Sequence, residues 1–216
     1  MSLYKTRSMR WGFHSDGSLS QSDYYHDGGG MVMSRYPLPQ FGKWYVEIKE
    51  DGGQAHSWGL YTPTYHTDTG EFDDSNFYKT CVCIYSGGSE WATNAWEYRT
   101  SGNSIPFSPS ISWTDSTGIG ALAIDMDNHT VDFAGNNNWA DYTWSFQNPS
   151  YNLRLNPEKG VHVIWINGGG GGGDKQFING GQGEGSTNYI STESSDENGN
   201  GVFEYAPPAG YLAIDY

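Results

Sequence analysis

Apolar and polar residues alternate along much of this chain, with short runs separated by turn-forming residues. In Gly42-Lys-Trp-Tyr-Val-Glu-Ile-Lys-Glu50, Trp44, Val46 and Ile48 alternate with Tyr45, Glu47 and Lys49. This period-two pattern predicts a strand with one face on a core and the other in water. Asp51-Gly52-Gly53 ends the run, and extended structure is expected again from His56 to Tyr61. Residues 62–77 read as a long polar connection, the kind of segment often kept for binding. Further strands are expected at 79–86, near 93–99 and at 119–127, with Arg10 to His14 as a possible first one. The segment from Ile119 to Ala134 reads as a hairpin: Leu122, Ile124 and Met126 face one way, Asp125 and Asp127 the other. Asp127-Asn128-His129 makes the reversal, and Val131 and Phe133 return the apolar face. Val161 to Ile166 is almost continuously apolar and predicts a buried strand. Six glycines follow at Gly168 to Gly173, then a polar stretch from Ser186 to Gly201, and alternation resumes over 202–216.

Composition agrees with strands. The chain has 216 residues, enough for a sizeable core without disulfide or metal staples. Aromatics make up 16% and there are 30 glycines, while leucine is scarce, which argues against helical bundles. The expectation is an all-β antiparallel sandwich forming one domain over 1–216, with a Gly-rich extended part from about residue 167. The net charge of −14 should repel phosphate backbones and anionic bilayers. No run approaches a membrane span, and the start lacks the apolar stretch of a signal peptide. Nucleic-acid binding, membrane insertion and classical secretion are therefore not expected. Cys81 and Cys83 read as small buried apolar residues rather than a redox pair, and no second pair stands at zinc-ligand spacing.

Candidate chemistry is sparse. Asp125 and Asp127 are paired carboxylates, and retaining glycosidases place two carboxyls roughly 5–5.5 Å apart. Both also suit a solvent-facing hairpin, and no Glu flanks them as in concanavalin-like glycanases. Asp196-Glu-Asn-Gly-Asn-Gly201 matches the first half of a calcium loop, making Asp196, Asn198 and Asn200 weak calcium candidates. The acidic twelfth position of an EF-hand is here Pro207, so a plain turn is favoured. The acids Asp68, Glu71, Asp73 and Asp74 are a further weak calcium candidate. The histidines are scattered, no Gly-x-Ser-x-Gly elbow occurs, and the glycine run lacks the Lys-Ser/Thr of a phosphate loop. No cofactor is expected. The aromatic surplus points instead to contact with a partner: Tyr61, Tyr65, Trp91, Trp96, Tyr98 and Trp139 are the binding candidates.

Three segments resemble the SPRY family. Gly42-Lys-Trp-Tyr-Val-Glu-Ile is similar to its opening "GKWYFEV" strand, and Ser57-Trp-Gly-Leu looks like the strand that follows. Gly118 to Phe133 resembles its "G-D-x-I-G-x-A-x-D-x-D-x-G-T-L-x-F" hairpin, with His129 where that family usually has Gly. His tolerates positive φ at modest cost. Gly173 to Gln182, and Gly199-Asn-Gly-Val-Phe-Glu-Tyr-Ala-Pro-Pro-Ala-Gly-Tyr-Leu-Ala213, are similar to the closing segments of SPRY modules in tailed-bacteriophage proteins. The resemblance implies a concanavalin-like β-sandwich that binds through loops and carries no catalytic residues. It implies further a phage virion protein on the particle exterior, capsid-decorating or tail-associated. Its expected partners are other virion proteins, further copies of itself as a homo-oligomer, and a host surface glycan or receptor if it is a tail fibre tip. A glycan-active enzyme using Asp125 and Asp127 is the alternative from another class.

Overall fold

The structure, a computed structural model, describes residues 11–14, 25–27, 30–51, 56–62, 81–86, 91–96, 105–106, 118–140, 143–145, 155, 157–167, 175–183 and 190–214. Its strands are Trp11–His14 (β1), Tyr25–Asp27 (β2), Gly30–Ser34 (β3), Lys43–Asp51 (β4), His56–Tyr61 (β5) and Cys81–Ser86 (β6). Trp91–Trp96 (β7), Ile105–Pro106 (β8), Ile119–Asp125 (β9), Thr130–Gly135 (β10) and Asn138–Trp139 (β11) follow. Trp144–Ser145 (β12), His162–Asn167 (β13), Lys175–Asn179 (β14) and Leu212–Ala213 (β15) complete them, with one short 3₁₀ turn at Pro157–Lys159.

Two sheets form among the described residues. A seven-stranded sheet runs β1-β3-β13-β5-β6-β7-β8, and an eight-stranded sheet runs β11-β10-β9-β4-β14-β2, with β12 also on β10 and β15 on β4. Nearly every pairing is antiparallel; β15 lies parallel to β4. The latter strand is shared lengthwise. Its second half, Glu47 to Asp51, pairs with β14, whereas Trp44 and Tyr45 pair with β15. The end of the chain thus completes a ladder that β14 leaves unfinished.

Alternation decides what lies between the sheets. Val46 and Ile48 from β4, and Leu122, Ile124, Val131 and Phe133 from the hairpin, meet Trp58, Leu60, Val82 and Val163 from the other sheet. Trp58 and Phe133 meet edge to face at 5.6 Å between ring centroids, an arrangement aromatic quadrupoles favour. Gly120 on β9 makes room for that indole: a Cβ there would stand 2.4 Å from the Trp58 ring. The hairpin is as expected, with Thr130↔Asp125 through Gly135↔Gly120 in unbroken register. His129 takes φ 55°, and Asn136 and Asn137 take 48° and 62°. Two consecutive positive values are what the two-residue turn into β11 demands.

The outer face of β4 differs from the expectation of water, and the outer face of the other sheet is covered as well. Tyr45, Glu47 and Lys49, predicted to be wet, are 1%, 0% and 8% exposed. Tyr45 belongs to a second apolar cluster with Ala121, Ala134, Phe203 and Ala213, flanked by Trp139 and Tyr211. Residues 190–214 lie over this face as a strap, bridged to the sheet system by Gln182↔Val202 and to itself by Ser194↔Phe203. The alternation expected over 202–216 is therefore only briefly a strand, at β15; the rest of the described residues 202–214 form a covering segment. On the opposite sheet, Met33, Tyr61, Cys83 and Ile164 are all at most 2% exposed and lie outside the central cluster. Cys83 is buried as expected, but it is disulfide-bonded rather than a reduced thiol. Cys81 is the chain's other cysteine.

Candidate functional site

Of the aromatic binding candidates, Tyr61 and Trp139 are those whose side chains lie among the described residues, and both are packed against the protein itself. Tyr61 ends β5 at 1% exposure, so its ring is part of a buried outer-face row and is not presented to a partner. Its position opposite His162 in the β5–β13 ladder explains this, because the strand period carries it to a covered face. Trp139 is half-buried and packs against Tyr45, ring centroids 6.4 Å apart, as part of the strap cluster. Trp91 and Trp96 are the first and last residues of β7, paired with Ser86 and Cys83. Tyr65 and Tyr98 lie outside the described residues, as do the acids Asp68 to Asp74 and the glycine run.

Two other aromatics, Tyr36 and Phe41, face solvent among the described residues. Among the described residues the exposed large apolar side chains are Tyr36, 44% exposed, and Phe41, 74% exposed. Both stand on the 35–42 connection between β3 and β4, which is clamped along its length. Leu38 inserts into the core at 3% exposure and its N–H donates to Val161 O at 2.7 Å. Ser34 Oγ donates to Tyr36 O at 2.9 Å. The Trp44 indole N–H donates to Phe41 O at 2.9 Å. Gly42, at φ +95°, donates to Asp127 Oδ1 at 3.0 Å and accepts from Met126 N at 2.9 Å. A well-held loop thus carries a large exposed ring, so little further ordering would be needed on binding. The available sequence signal was an aromatic bracketed by Pro and Gly in a loop, Tyr36-Pro-Leu-Pro-Gln-Phe-Gly42.

The hairpin carboxylates serve the turn. Asp125 Oδ1 accepts from Asp127 N at 3.1 Å and Asn128 N at 2.9 Å. Its Oδ2 accepts from Asn128 Nδ2 at 2.8 Å and pairs with Lys43 Nζ at 3.0 Å across the β4–β9 ladder. Burial by itself would raise the Asp125 carboxyl, but the Asn128 hydrogen bonds and the Lys43 ammonium together hold it below the usual carboxylate range. Asp127 is exposed and holds Gly42. A general acid of a glycosidase needs its pKa raised. Asp125 is shifted the other way, with its oxygens engaged by the chain itself, so it acts as a turn-forming anion.

The calcium-like loop is explained in the same manner. Asp196, 5% exposed, accepts Asn198 N and Asn200 N on Oδ1, both at 2.9 Å, and Ala213 N on Oδ2 at 3.0 Å. Each carboxylate oxygen already faces an amide donor, and Asn198 and Asn200 contribute backbone N–H groups where calcium would require oxygens. The Asp-x-Asn-x-Asn signature here builds a capped turn that also anchors β15. Among the described residues no cluster of three metal-ligating side chains occurs. On the other sheet His162, 9% exposed, has Nδ1 within 2.8 Å of Ser34 O and 3.4 Å of Ser34 Oγ. Ser34 is itself 1% exposed and its hydroxyl also receives Val163 N, which makes the pair a packed crosslink. Burial lowers the His162 pKa against the opposing pull of the Ser34 carbonyl.

No family model and no characterised protein matches the sequence. The fold does have solved counterparts. The TRIM65 PSpry domain aligns at TM-score 0.50 with 11% identity, over 81% of this chain and 93% of that one. The SPRY domain of human HERC1 aligns at TM-score 0.48 with 10% identity, over 74% of this chain and 90% of its own. The stonustoxin structure aligns at TM-score 0.45 with 13% identity over 81% of this chain, which spans 27% of the stonustoxin chain. The chain therefore has the SPRY-type β-sandwich fold, with two antiparallel sheets about a common core.

Proposed function

We propose that this protein is a non-enzymatic binding module that engages a protein partner through a rigid loop aromatic, Phe41, at the rim of the sandwich. The observation that carries this reading is the combination at one residue of 74% exposure and a clamped backbone. Large aromatics so placed dominate interface energetics, because they bury much area for little conformational loss. The SPRY-type fold supports a binding role over catalysis, as does the engagement of Asp125 and Asp127 in the turn and the Lys43 pair.

The finer proposal is an exterior subunit of a tailed-phage particle, capsid-decorating or tail-associated, bound to other virion proteins. Its support is the likeness of the 199–213 segment to the closing segments of phage SPRY modules. Two measurements test the reading. Surface biotinylation of intact particles should label the chain, and its absence from purified particles would sink the virion role. Phe41→Ala should leave thermal stability within about 0.5 kcal/mol of wild type, since an exposed ring contributes little to folding. The same change should weaken attachment to particles lacking the protein by tenfold or more, on the order of 1.4 kcal/mol or above. Unchanged attachment would remove Phe41 from the interface.

A further inference from the structure

The connection from β3 to β4 carries more than one exposed ring. Tyr36-Pro-Leu-Pro-Gln-Phe-Gly42 contains no charged residue, in a chain whose net charge is −14. Tyr36, Pro37, Pro39, Gln40 and Phe41 are exposed, while Leu38 between the two prolines turns into the core. The inserted leucine pins the middle of the segment, so its neighbours stand outward as a convex ridge. A Cβ on Gly160 would lie 3.0 Å from the Pro37 ring, which shows how closely the turn before β13 backs the ridge. The prolines fix φ at positions 37 and 39 and disfavour helical backbone at the residue before each, Tyr36 and Leu38. Covalent constraint thus holds this stretch extended, and neither proline has an N–H that binding would have to satisfy.

The charges bordering the ridge cancel. Among the described residues at this end of the sandwich, Arg35, Lys43 and Lys159 are matched by Asp125, Asp127 and Glu158. Two of these acids are turned to the chain itself: Asp125 pairs with Lys43 at 3.0 Å, and Asp127 accepts the Gly42 N–H. A strongly acidic protein therefore presents a neutral, apolar ridge here, and a partner gains nothing at it by being basic.

We propose that the Tyr36–Phe41 ridge is a preformed proline ligand that seats in an uncharged, aromatic-lined groove on a partner protein. This rests on the reading of Phe41 as an interface anchor and names what that anchor enters. Extended proline segments dock in such grooves because they arrive already ordered and lay their rings on flat aromatic faces. The convex shape calls for a concave partner, and the clamped backbone keeps the ordering cost low. Phe41 and Tyr36 supply large rings at the two ends, with Pro37 and Pro39 between them. Gln40 and the Tyr36 hydroxyl are the polar side-chain groups the ridge offers, few for a glycan, whose hydroxyls need many such partners.

Attachment of the full chain to particles lacking it, measured across a salt series from about 50 to about 500 mM NaCl, tests this. Docking in a neutral groove should change by less than about twofold over the series, because no ion pair spans the contact to be screened. Tyr36→Ala and Pro39→Ala should each weaken attachment about threefold or more, while melting within about 3 °C of wild type. A loss of about tenfold or more with salt would assign the site to a charged partner. Unchanged attachment in both variants would leave Phe41 a solitary anchor. Retention of the chain on phosphatidylcholine vesicles would give the ridge to a bilayer. Each of these three results overturns the groove and leaves Phe41 as an anchor, whereas Phe41→Ala attaching like wild type removes the anchor and the groove together. If Pro39→Ala does not fold, the salt series on the wild-type chain and Tyr36→Ala decide the matter.

Discussion

Truncating Phe203 to alanine lowers the unfolding free energy by about 4 kcal/mol, the scale for deleting a fully buried phenyl ring. Phe203 is 0% exposed and meets Tyr45 edge to face at 4.9 Å and 77°. The pit that receives it is lined by small side chains, Ala121 and Ala134 from the sheet and Ala213 from the strap. These alanines have no rotamers with which to collapse into the space, so the cavity persists and the cost falls toward the high end. Gly201 is fitted to the same ring: a Cβ there would lie 2.7 Å from Phe203 and 2.8 Å from Ala213. Urea unfolding followed by tryptophan fluorescence measures the loss. A change under 1.5 kcal/mol would mean that the strap does not depend on this ring.

Gly59→Ala is expected to be as severe, by a different route. Gly59 lies in β5 opposite Cys83 of β6 and Ile164 of β13, so strands flank it on both sides. A Cβ would stand 2.0 Å from the Val82 carbonyl oxygen and 2.7 Å from Cys83 Cα. These are backbone atoms, so no rotamer change relieves the contact, and the β5–β6 ladder must part. The cost is at least about 3 kcal/mol, seen as a melting temperature lower by roughly 10 °C or as failure to accumulate soluble protein. A variant that melts within 3 °C of wild type would show that the strands can separate cheaply at this point.

The elements legible in the sequence were those whose signal is local. The 119–134 hairpin carries its own alternation and turn residues, and the His129 φ of 55° is what its place in the turn requires. The core face of β4 was equally plain, with Val46 and Ile48 at 0% and 1% exposure. Its other face was misread as wet because the covering segment lies about 150 positions further on, and period-two pattern does not reveal whether a polar face acquires a third layer. Glu47 reads as an ordinary solvent-facing acid until Tyr205 and Glu204 are seen above it. The same blindness to covering layers placed Tyr61 on a binding surface. The Asp196 loop shows a different limit: one signature serves a calcium site and a capped turn, and only the direction of the Ala213 amide separates them. Phe41 was missed because an isolated loop aromatic has no periodicity to mark it. The closing motif that carries the resemblance to phage modules proves structural in its aromatics, since Phe203 and Tyr211 pack in the strap cluster. Its likeness therefore speaks to shared architecture more than to a shared ligand.

Phe41 is the proposed anchor of a protein interface. Hydroxyl-radical footprinting, comparing the isolated protein with the protein bound to the phage particles it is proposed to decorate, tests this most directly. Phe41 starts 74% exposed, so its side chain should oxidise readily in the free chain and be shielded several-fold once bound, with Tyr36 following it to a smaller degree. Equal oxidation of Phe41 in the two states would contradict the proposed interface.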